Sequence, residues 1–476
     1  MKEGYIPRDE RKKILLIADD IRVHSGVAQI AREFIVHSCH HYNFACVGGA
    51  VKHPDKGKVF DMNAPIGKEA NIEDAYVMLY PTDGYGSLEM IRTLIKRENP
   101  DAIFMITDPR YYDWLFQNEG EFRRKIPIIY LNIWDDVPAP VYNKEFYESC
   151  DALLGISKQT VNINKMVLGD KAEGKVMEYV PHGLNNNIFH PIEDSNEDLK
   201  KFKNGLFGGN EYDFVLLFNS RNIRRKSIPD ALLAWKVFTD QLPPEKAKKT
   251  ALVLKTDPVD GNGTDIPAVI EYLFDGSHTN ITLVGQRLST LDMSYLYNCA
   301  DGVILLSSNE GWGLALTESL LTGTPFIANV TGGMQDQMRF IDSNGNWFTP
   351  CSNIPSNHRG TYKEHGKWAY PVYPTSISMQ GSPKTPYIFD DRCSWEDAAE
   401  QIKKLYETSP KERKSRGLAG MEWALGDEAG FTSEKMSKRM IKYIDKLFDT
   451  WKPIPKYQFL KDTDFEKRVL PHKLIY

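Results

Sequence analysis

Glu310 and Glu318 enclose the segment Gly311-Trp312-Gly313-Leu314-Ala315-Leu316-Thr317, and no other stretch of the chain combines so many groups able to do chemistry. An apolar run, Val303-Ile304-Leu305-Leu306, precedes it and ends in Ser307-Ser308-Asn309; Leu316, Leu320 and Leu321 follow at helical spacing. The order is strand, glycine-rich turn, helix. Glycines let a backbone approach a ligand closely, and a helix start presents free N–H groups and a positive dipole end, a cradle suited to a diphosphate. The first carboxylate sits in the turn, where it can orient sugar hydroxyls. The second lies about two helical turns further on, where it can hold a ribose. Taken alone, the pair reads equally well as solvated acids at a helix start.

A second cluster lies about ninety residues upstream. The apolar run Phe214-Val215-Leu216-Leu217-Phe218 leads into Asn219-Ser220-Arg221-Asn222-Ile223-Arg224-Arg225-Lys226-Ser227, and a helical pattern begins near Pro229. Cations between a strand end and a helix start can clamp phosphate oxygens, arginine bidentately. Arg221 and Lys226 are the candidates, although by itself the loop also reads as a solvated basic turn.

These groups need a frame. With 476 residues the chain exceeds one ordinary core, and 41% hydrophobic and 26% charged residues describe a globular protein. Short apolar runs without alternation, β-branched and separated by helical patterns, predict parallel sheets buried on both faces. They occur at 14–17, 44–47, 102–106, 126–130 and 152–156, then again at 214–218, 251–254, 281–284, 303–306 and 326–328. The expected fold class is therefore α/β, with two Rossmann-like domains facing a cleft. The polar, acidic stretch 191–198 reads as a linker. It divides an N-terminal acceptor-side domain, 1–195, from a C-terminal donor domain, 205–430, that carries a long Pro/Gly-punctuated insertion at 350–390. Residues 431–476 are expected to form a helix and tail packing back on the first domain, the helix through Met436, Met440, Tyr443, Ile444, Leu447 and Phe448.

Several classes are disfavoured. No run approaches the roughly 20 apolar residues of a membrane span and the start has no signal-peptide core, so a cytoplasmic location is expected. The net charge of −5 gives no global field for polyanions. Six scattered cysteines form no C-x-x-C pair, which argues against a zinc site or a disulfide framework. Asp19-Asp20, Asp135-Asp136 and Asp390-Asp391 have no third ligand at metal spacing and read as structural, so no metal site is assigned. The first strand runs into Asp19-Asp20-Ile21-Arg22-Val23-His24, without the G-x-G-x-x-G turn of a dinucleotide dehydrogenase.

Taken together and in order, the motifs resemble the donor half of the retaining glycosyltransferases of family 4, which have the glycosyltransferase B architecture. Arg221 and Lys226 match that family's phosphate-binding Arg and Lys, and Tyr297-Asn298-Cys299-Ala300-Asp301 matches its Tyr-x-x-Ala-Asp. Glu310-Gly311-Trp312-Gly313 with Glu318 matches its Glu-x7-Glu segment. Thr322-Gly323-Thr324-Pro325-Phe326-Ile327 and Gly332-Gly333-Met334-Gln335-Asp336 match two downstream glycine motifs, with Asp336 in place of the usual Glu. The first half is similar more loosely, through Ser25-Gly26-Val27 and the stretch from Val180 to Pro191.

The resemblance implies a retaining, metal-independent transferase that uses a UDP- or GDP-linked sugar as donor and needs no cofactor. Arg221, Lys226 and Glu310 would be catalytic. Gly26, Gly311, Trp312, Gly313, Leu314 and Glu318 would complete the donor site, and Trp134 and Asp135 would face the acceptor. Trp134 stands where many relatives carry histidine, and His182 reads as a loop histidine. A saccharide or lipid-linked glycan is the default acceptor. Modified bases in DNA are the alternative, raised by the cations and aromatics of the insertion, among them Arg359, Tyr362, Lys363, Trp368, Tyr370 and Tyr387. A sugar-nucleotide epimerase is a weaker reading, since the first half lacks acid/base pairs at matching positions.

Overall fold

Strands that are apolar on both sides must be covered on both sides, and that requirement sets the architecture. A computed structural model of the chain describes residues 4–457 apart from 51, 276–279, 353, 355 and 356. The first body holds a sheet of β1 (Lys12–Asp19), β2 (Tyr42–Ala50), β3 (Phe60–Asp61), β4 (Val77–Asp83), β5 (Ala102–Ile106), β6 (Ile128–Asn132), β7 (Ala152–Gly155) and β8 (Val176–Tyr179). Their order is β3-β4-β2-β1-β5-β6-β7-β8. All pairings are parallel except that of β3 with β4. Successive side chains point to opposite faces, so Ile14 and Leu16 join one buried cluster while Leu15 and Ile17 join another.

The second body repeats this grammar with β9 (Phe214–Asn219), β10 (Thr250–Lys255), β11 (Ile281–Leu283), β12 (Gly302–Leu305), β13 (Phe326–Asn329) and β14 (Ala369–Val372), ordered β11-β10-β9-β12-β13-β14. Every pairing in it is parallel. The order reverses beside β9, and the open crevice of such a sheet lies beyond the carboxyl ends of its strands at that reversal. Both chemical clusters of the sequence stand there: β9 ends at Asn219, and β12 ends five residues before Glu310.

The acidic stretch between the bodies is only partly extended. A helix, Glu197–Phe207, begins at its end, capped by the Asn196 side chain. The C-terminal helix, Ser433–Thr450, buries Met436, Met440, Ile444 and Leu447. It lies on the first body, where Asp445 accepts from the Tyr42 hydroxyl (2.6 Å) and pairs with His41 (2.9 Å), and Lys446 meets Glu178 (2.8 Å). The backbone of Leu184 is paired on both sides of the helix start, with Phe431 and Ser433. From Trp451 to Tyr457 the chain forms neither helix nor strand, with the Ile454 amide donating to the Arg123 carbonyl; the rest of the expected tail lies outside the described residues.

The insertion resolves into the edge strand β14 and an antiparallel hairpin, β15 (Ser376–Ser382) and β16 (Thr385–Arg392). The hairpin leaves the second body and docks on the first. The Phe389 amide donates to the Val137 carbonyl (3.0 Å), the Tyr142 hydroxyl donates to the Tyr387 carbonyl (2.9 Å), and the two tyrosine rings meet edge to face at 4.8 Å.

Candidate active site

The basic loop after β9 is shaped by one tight turn. Residues Arg224–Lys226 form a 3-10 turn that ends at Ser227 in the left-handed region (φ 51°). The Arg225 carbonyl accepts from the Ser308 amide at 2.8 Å, which pins the turn to the end of β12. Arg225 and Lys226 are thereby both delivered to one carboxylate. Arg225 Nη1 donates to Glu310 Oε2 at 3.0 Å and to the Asn309 carbonyl at 2.7 Å, and Lys226 Nζ bonds the same Glu310 oxygen. Burial opposes charge on all three groups. For Glu310 the two cations outweigh burial and hold its carboxyl down at about 2. Burial lowers the proton affinity of Lys226, whereas Glu310 and Asp135 keep Arg225 charged.

The turn around Glu310 needs its glycines. Gly313 has φ 84° at the start of helix Leu314–Leu321, a conformation that side chains rarely adopt. Gly332 and Gly333 lie so close to the Glu310 and Gly311 carbonyls that an added Cβ would come within 2.0 and 2.1 Å of them. Trp312 turns its ring inward, donating from Nε1 to Thr317 Oγ1 (2.8 Å) and packing on Phe431.

Glu318 stands in the opposite electrical setting. Among the described residues no cation pairs with it; the Tyr297 hydroxyl (2.6 Å) and Asn219 Nδ2 (3.1 Å) donate to it. Burial therefore pushes its carboxyl up to about 7 against those two hydrogen bonds.

Across a cavity of about 570 Å³, the first body supplies Ser25, Gly26, Ile133, Asp135 and His182. Ser25 caps helix Gly26–Ser38, accepting from the Ala28 amide at 3.0 Å, and Asp19 in turn accepts from the Ser25 hydroxyl. A Cβ on Gly26 would lie 3.2 Å from Leu314, so the starts of the two helices meet at the rim of the cavity. Asp135 is half-buried near Arg225 and Glu310, and desolvation raises its carboxyl. Burial likewise pulls His182 down to about 3, leaving a neutral imidazole whose Nδ1 has no partner.

The structure thus brings Gly26, Lys226, Glu310, Gly311, Trp312, Gly313, Leu314, Glu318 and Asp135 to one cavity. Arg221 also borders it, but its side chain is 63% exposed and pairs with Asp260 (3.1 Å), away from Glu310. Trp134 lies outside this cavity, buried, with Nε1 donating to the Asp136 carbonyl (2.7 Å). It lines a neighbouring chamber instead. Sequence reasoning gave no site role to Arg225, Asn219 or Tyr297, although Tyr297 heads a matched motif, and it treated His182 as a loop residue. Arg225 was visible only as one of three adjacent cations.

Of the paired aspartates, Asp20, Asp136 and Asp391 are built into the frame, while Asp135 faces the cavity. Asp20 binds Arg22 and His53. Asp136 and Asp391, one from each side of the interface, both contact the Thr331 hydroxyl (2.9 and 2.6 Å). A hydroxyl has one hydrogen for two carboxyls; burial raises both, and the charge of Asp391 adds to the rise of Asp136, so the pair retains a proton. Asp336 accepts from the Lys158 amide (2.9 Å) and does not line the cavity. Much of the insertion's aromatic surface is internal: Trp368 stacks on Trp423, Tyr370 is buried beside Arg416, and the Tyr373 hydroxyl donates to the Tyr362 carbonyl.

Two Rossmann-like bodies enclosing such a crevice define the glycosyltransferase B fold, and solved structures of that class match it across nearly the whole chain. Sucrose-phosphate synthase from Thermosynechococcus elongatus has a TM-score of 0.64 at 16% identity, covering 92% of this chain and 100% of that one. HepE from Anabaena, in complex with UDP and glucose, has a TM-score of 0.60 at 15% identity, with the same coverage. The α,α-trehalose 6-phosphate synthase of Burkholderia multivorans has a TM-score of 0.61 at 9% identity, covering 92% and 99%. Residues 276–356, which include Glu310 and Glu318, match the family model of the glycosyl transferases group 1. Among curated proteins, the D-inositol 3-phosphate glycosyltransferase of Salinispora arenicola (strain CNS-205) is 27% identical over 164 residues. That match spans 34% of this chain and 36% of the relative, about a third of each. Among the described residues no helix is long and apolar enough to cross a membrane.

Proposed function

We propose that the protein is a retaining glycosyltransferase that moves a sugar from a nucleoside diphosphate sugar to a hydroxyl acceptor. The observation that carries this reading is the joint hold of Lys226 and Arg225 on Glu310, at a cavity flanked by two helix starts. A diphosphate seated there meets two cations and the free amides of both helices, which stabilise the charge that grows on it as it leaves. Glu310, held ionised, accepts from hydroxyls of the transferred sugar. Glu318, between Tyr297 and Asn219, accepts from the ribose. UDP is the first nucleotide to test, since HepE is described with UDP and glucose in the same fold. GDP is the second.

In the reaction, the bond between the anomeric carbon and the diphosphate oxygen breaks as the acceptor oxygen bonds that carbon on the same face. The acceptor proton passes to the leaving diphosphate, so no enzyme carboxylate acts as nucleophile. Asp135, at the cavity's first-body wall, is placed to orient the acceptor hydroxyl. Because protein cations and amides carry the phosphate charge, activity is expected to survive EDTA. Trp368 and Tyr370 are buried and offer no nucleic-acid surface, while Arg359, Lys363 and Lys384 are exposed; DNA binding at low salt is the test of that alternative. Thermal shift against a panel of sugar nucleotides tests the donor reading, because a ligand of the native state raises its stability. Stabilisation by at least one nucleoside diphosphate sugar is expected, and none across the panel would refute it.

A further inference from the structure

A second chamber, of about 450 Å³, opens beside the donor cavity and shares Ile133, Asp135 and Arg225 with it. A group seated in this chamber therefore lies next to the Arg225–Glu310 end of the donor site, where the transferred sugar would be. Its walls come from both bodies. The first body contributes Asp108, Arg110, Trp134 and Asp135, and the β15–β16 hairpin contributes Gln380 and Thr385.

The charges of these walls cancel, two carboxylates against two guanidiniums, and the guanidiniums are already engaged. Arg110 holds Asp108 through Nε (2.7 Å) and Nη2. Through Nη1 it donates to the Lys384 carbonyl and the Thr385 hydroxyl of the hairpin. Arg225 is committed to Asn309 and Glu310. A phosphate entering here would face Asp108 and Asp135; Arg225 serves the donor diphosphate in the reading above, and Arg110 would have to leave Asp108, a cost set by desolvated charge. Hydroxyl groups meet no such conflict. They can donate to the two carboxylates and accept from the amide and hydroxyl of Gln380 and Thr385.

We propose that this chamber is the acceptor site and that the hairpin, by engaging Arg110, makes it selective for an uncharged polyhydroxyl acceptor, a sugar or cyclitol, over its phosphate ester. The proposal deepens the donor reading above and rests on it.

The test uses the full chain with the sugar nucleotide that stabilises it best and matched acceptor pairs: glucose and glucose 6-phosphate, mannose and mannose 6-phosphate, myo-inositol and its 3-phosphate. Neutral members are expected to be used with kcat/KM at least about tenfold higher than their esters. Equal or higher efficiency with the esters overturns the proposal, and so does donor binding with no transfer to any neutral polyol. Two variants locate the effect. Gln380→Trp, at an exposed hairpin position, should raise the acceptor KM by about tenfold or more while the nucleotide diphosphate still raises the melting temperature. Asp108→Asn, which releases Arg110 from its carboxylate, should shift the neutral-to-ester ratio toward the ester. An unchanged acceptor KM in the first variant or an unchanged ratio in the second overturns the assignment. If no nucleoside diphosphate sugar binds the wild-type chain, the donor reading fails and the acceptor proposal falls with it.

Discussion

Glu310 and Glu318 belong to one loop and helix, yet their surroundings drive them to opposite ends of the carboxylate range. Glu310 is gripped by Lys226 and Arg225 and held at about 2; Glu318 has only neutral donors and is pushed to about 7. Burial acts in the same direction on both. The difference lies in what the preceding motif supplies: the turn after β9 sends two cations to the first glutamate, while the second receives the Asn219 amide and the Tyr297 hydroxyl. One end of the segment is thus built for charge and the other for hydroxyl groups, which is how a nucleoside diphosphate sugar is divided along its length.

The cation end should be the more fragile. Lys226→Ala is expected to weaken nucleoside diphosphate binding by more than about tenfold, the scale of a lost charge-assisted hydrogen bond, as read by calorimetric titration. It also removes one of the two groups that hold Glu310 down, so that glutamate's carboxyl should rise. Arg225→Ala should weaken donor binding by about tenfold, whereas Arg221→Ala should change it by less than about threefold, because the exposed Arg221 is tied to Asp260. Equal effects of the two arginines would place the phosphate on the outer side of the loop and break the comparison.

The hydroxyl end should announce itself through pH. Glu318 is a carboxylate only as pH rises through about 7, and a carboxylate is the better acceptor for ribose hydroxyls. Nucleotide affinity is therefore expected to rise between pH 6 and pH 8 and then level off. Glu318→Gln should lose about tenfold at pH 8 and flatten that rise, in titrations at both pH values.

The smallest effect concerns the frame. Asp136 and Asp391 hold a proton in the fold that the unfolded chain gives up as pH rises above the ordinary carboxylate range, so their contribution to stability falls with rising pH. Asp391→Asn keeps a hydrogen-bonding group beside Thr331 and removes the need for that proton. Its melting temperature should decline less between pH 5 and pH 8 than that of the wild type.

Much of this was legible from residue types. The unalternating apolar runs locate the strands that carry the site, because a strand buried on both faces has few other compositions. What escaped is equally physical. β4 contains Pro81 and β8 is a short strand containing Glu178, so neither shows a clean apolar run, and the hairpin is Ser- and Gly-containing and largely exposed. Within the site, the glutamates and Lys226 stand out by spacing, but Arg225 does not. Choosing between Arg221 and Arg225 requires the 3-10 turn and the left-handed Ser227 that fold the second of them toward Glu310. Glu318's partners come from β9 and from the helix preceding β12, separations that no local pattern encodes.

The central claim, that this cleft holds the diphosphate at its Glu310 end, is tested most directly by titrating UDP or GDP, whichever binds, and the corresponding nucleoside into wild type and Lys226→Ala. The account predicts that the variant loses more than about tenfold in affinity for the diphosphate and keeps its affinity for the nucleoside. Unchanged affinity for the diphosphate would contradict it.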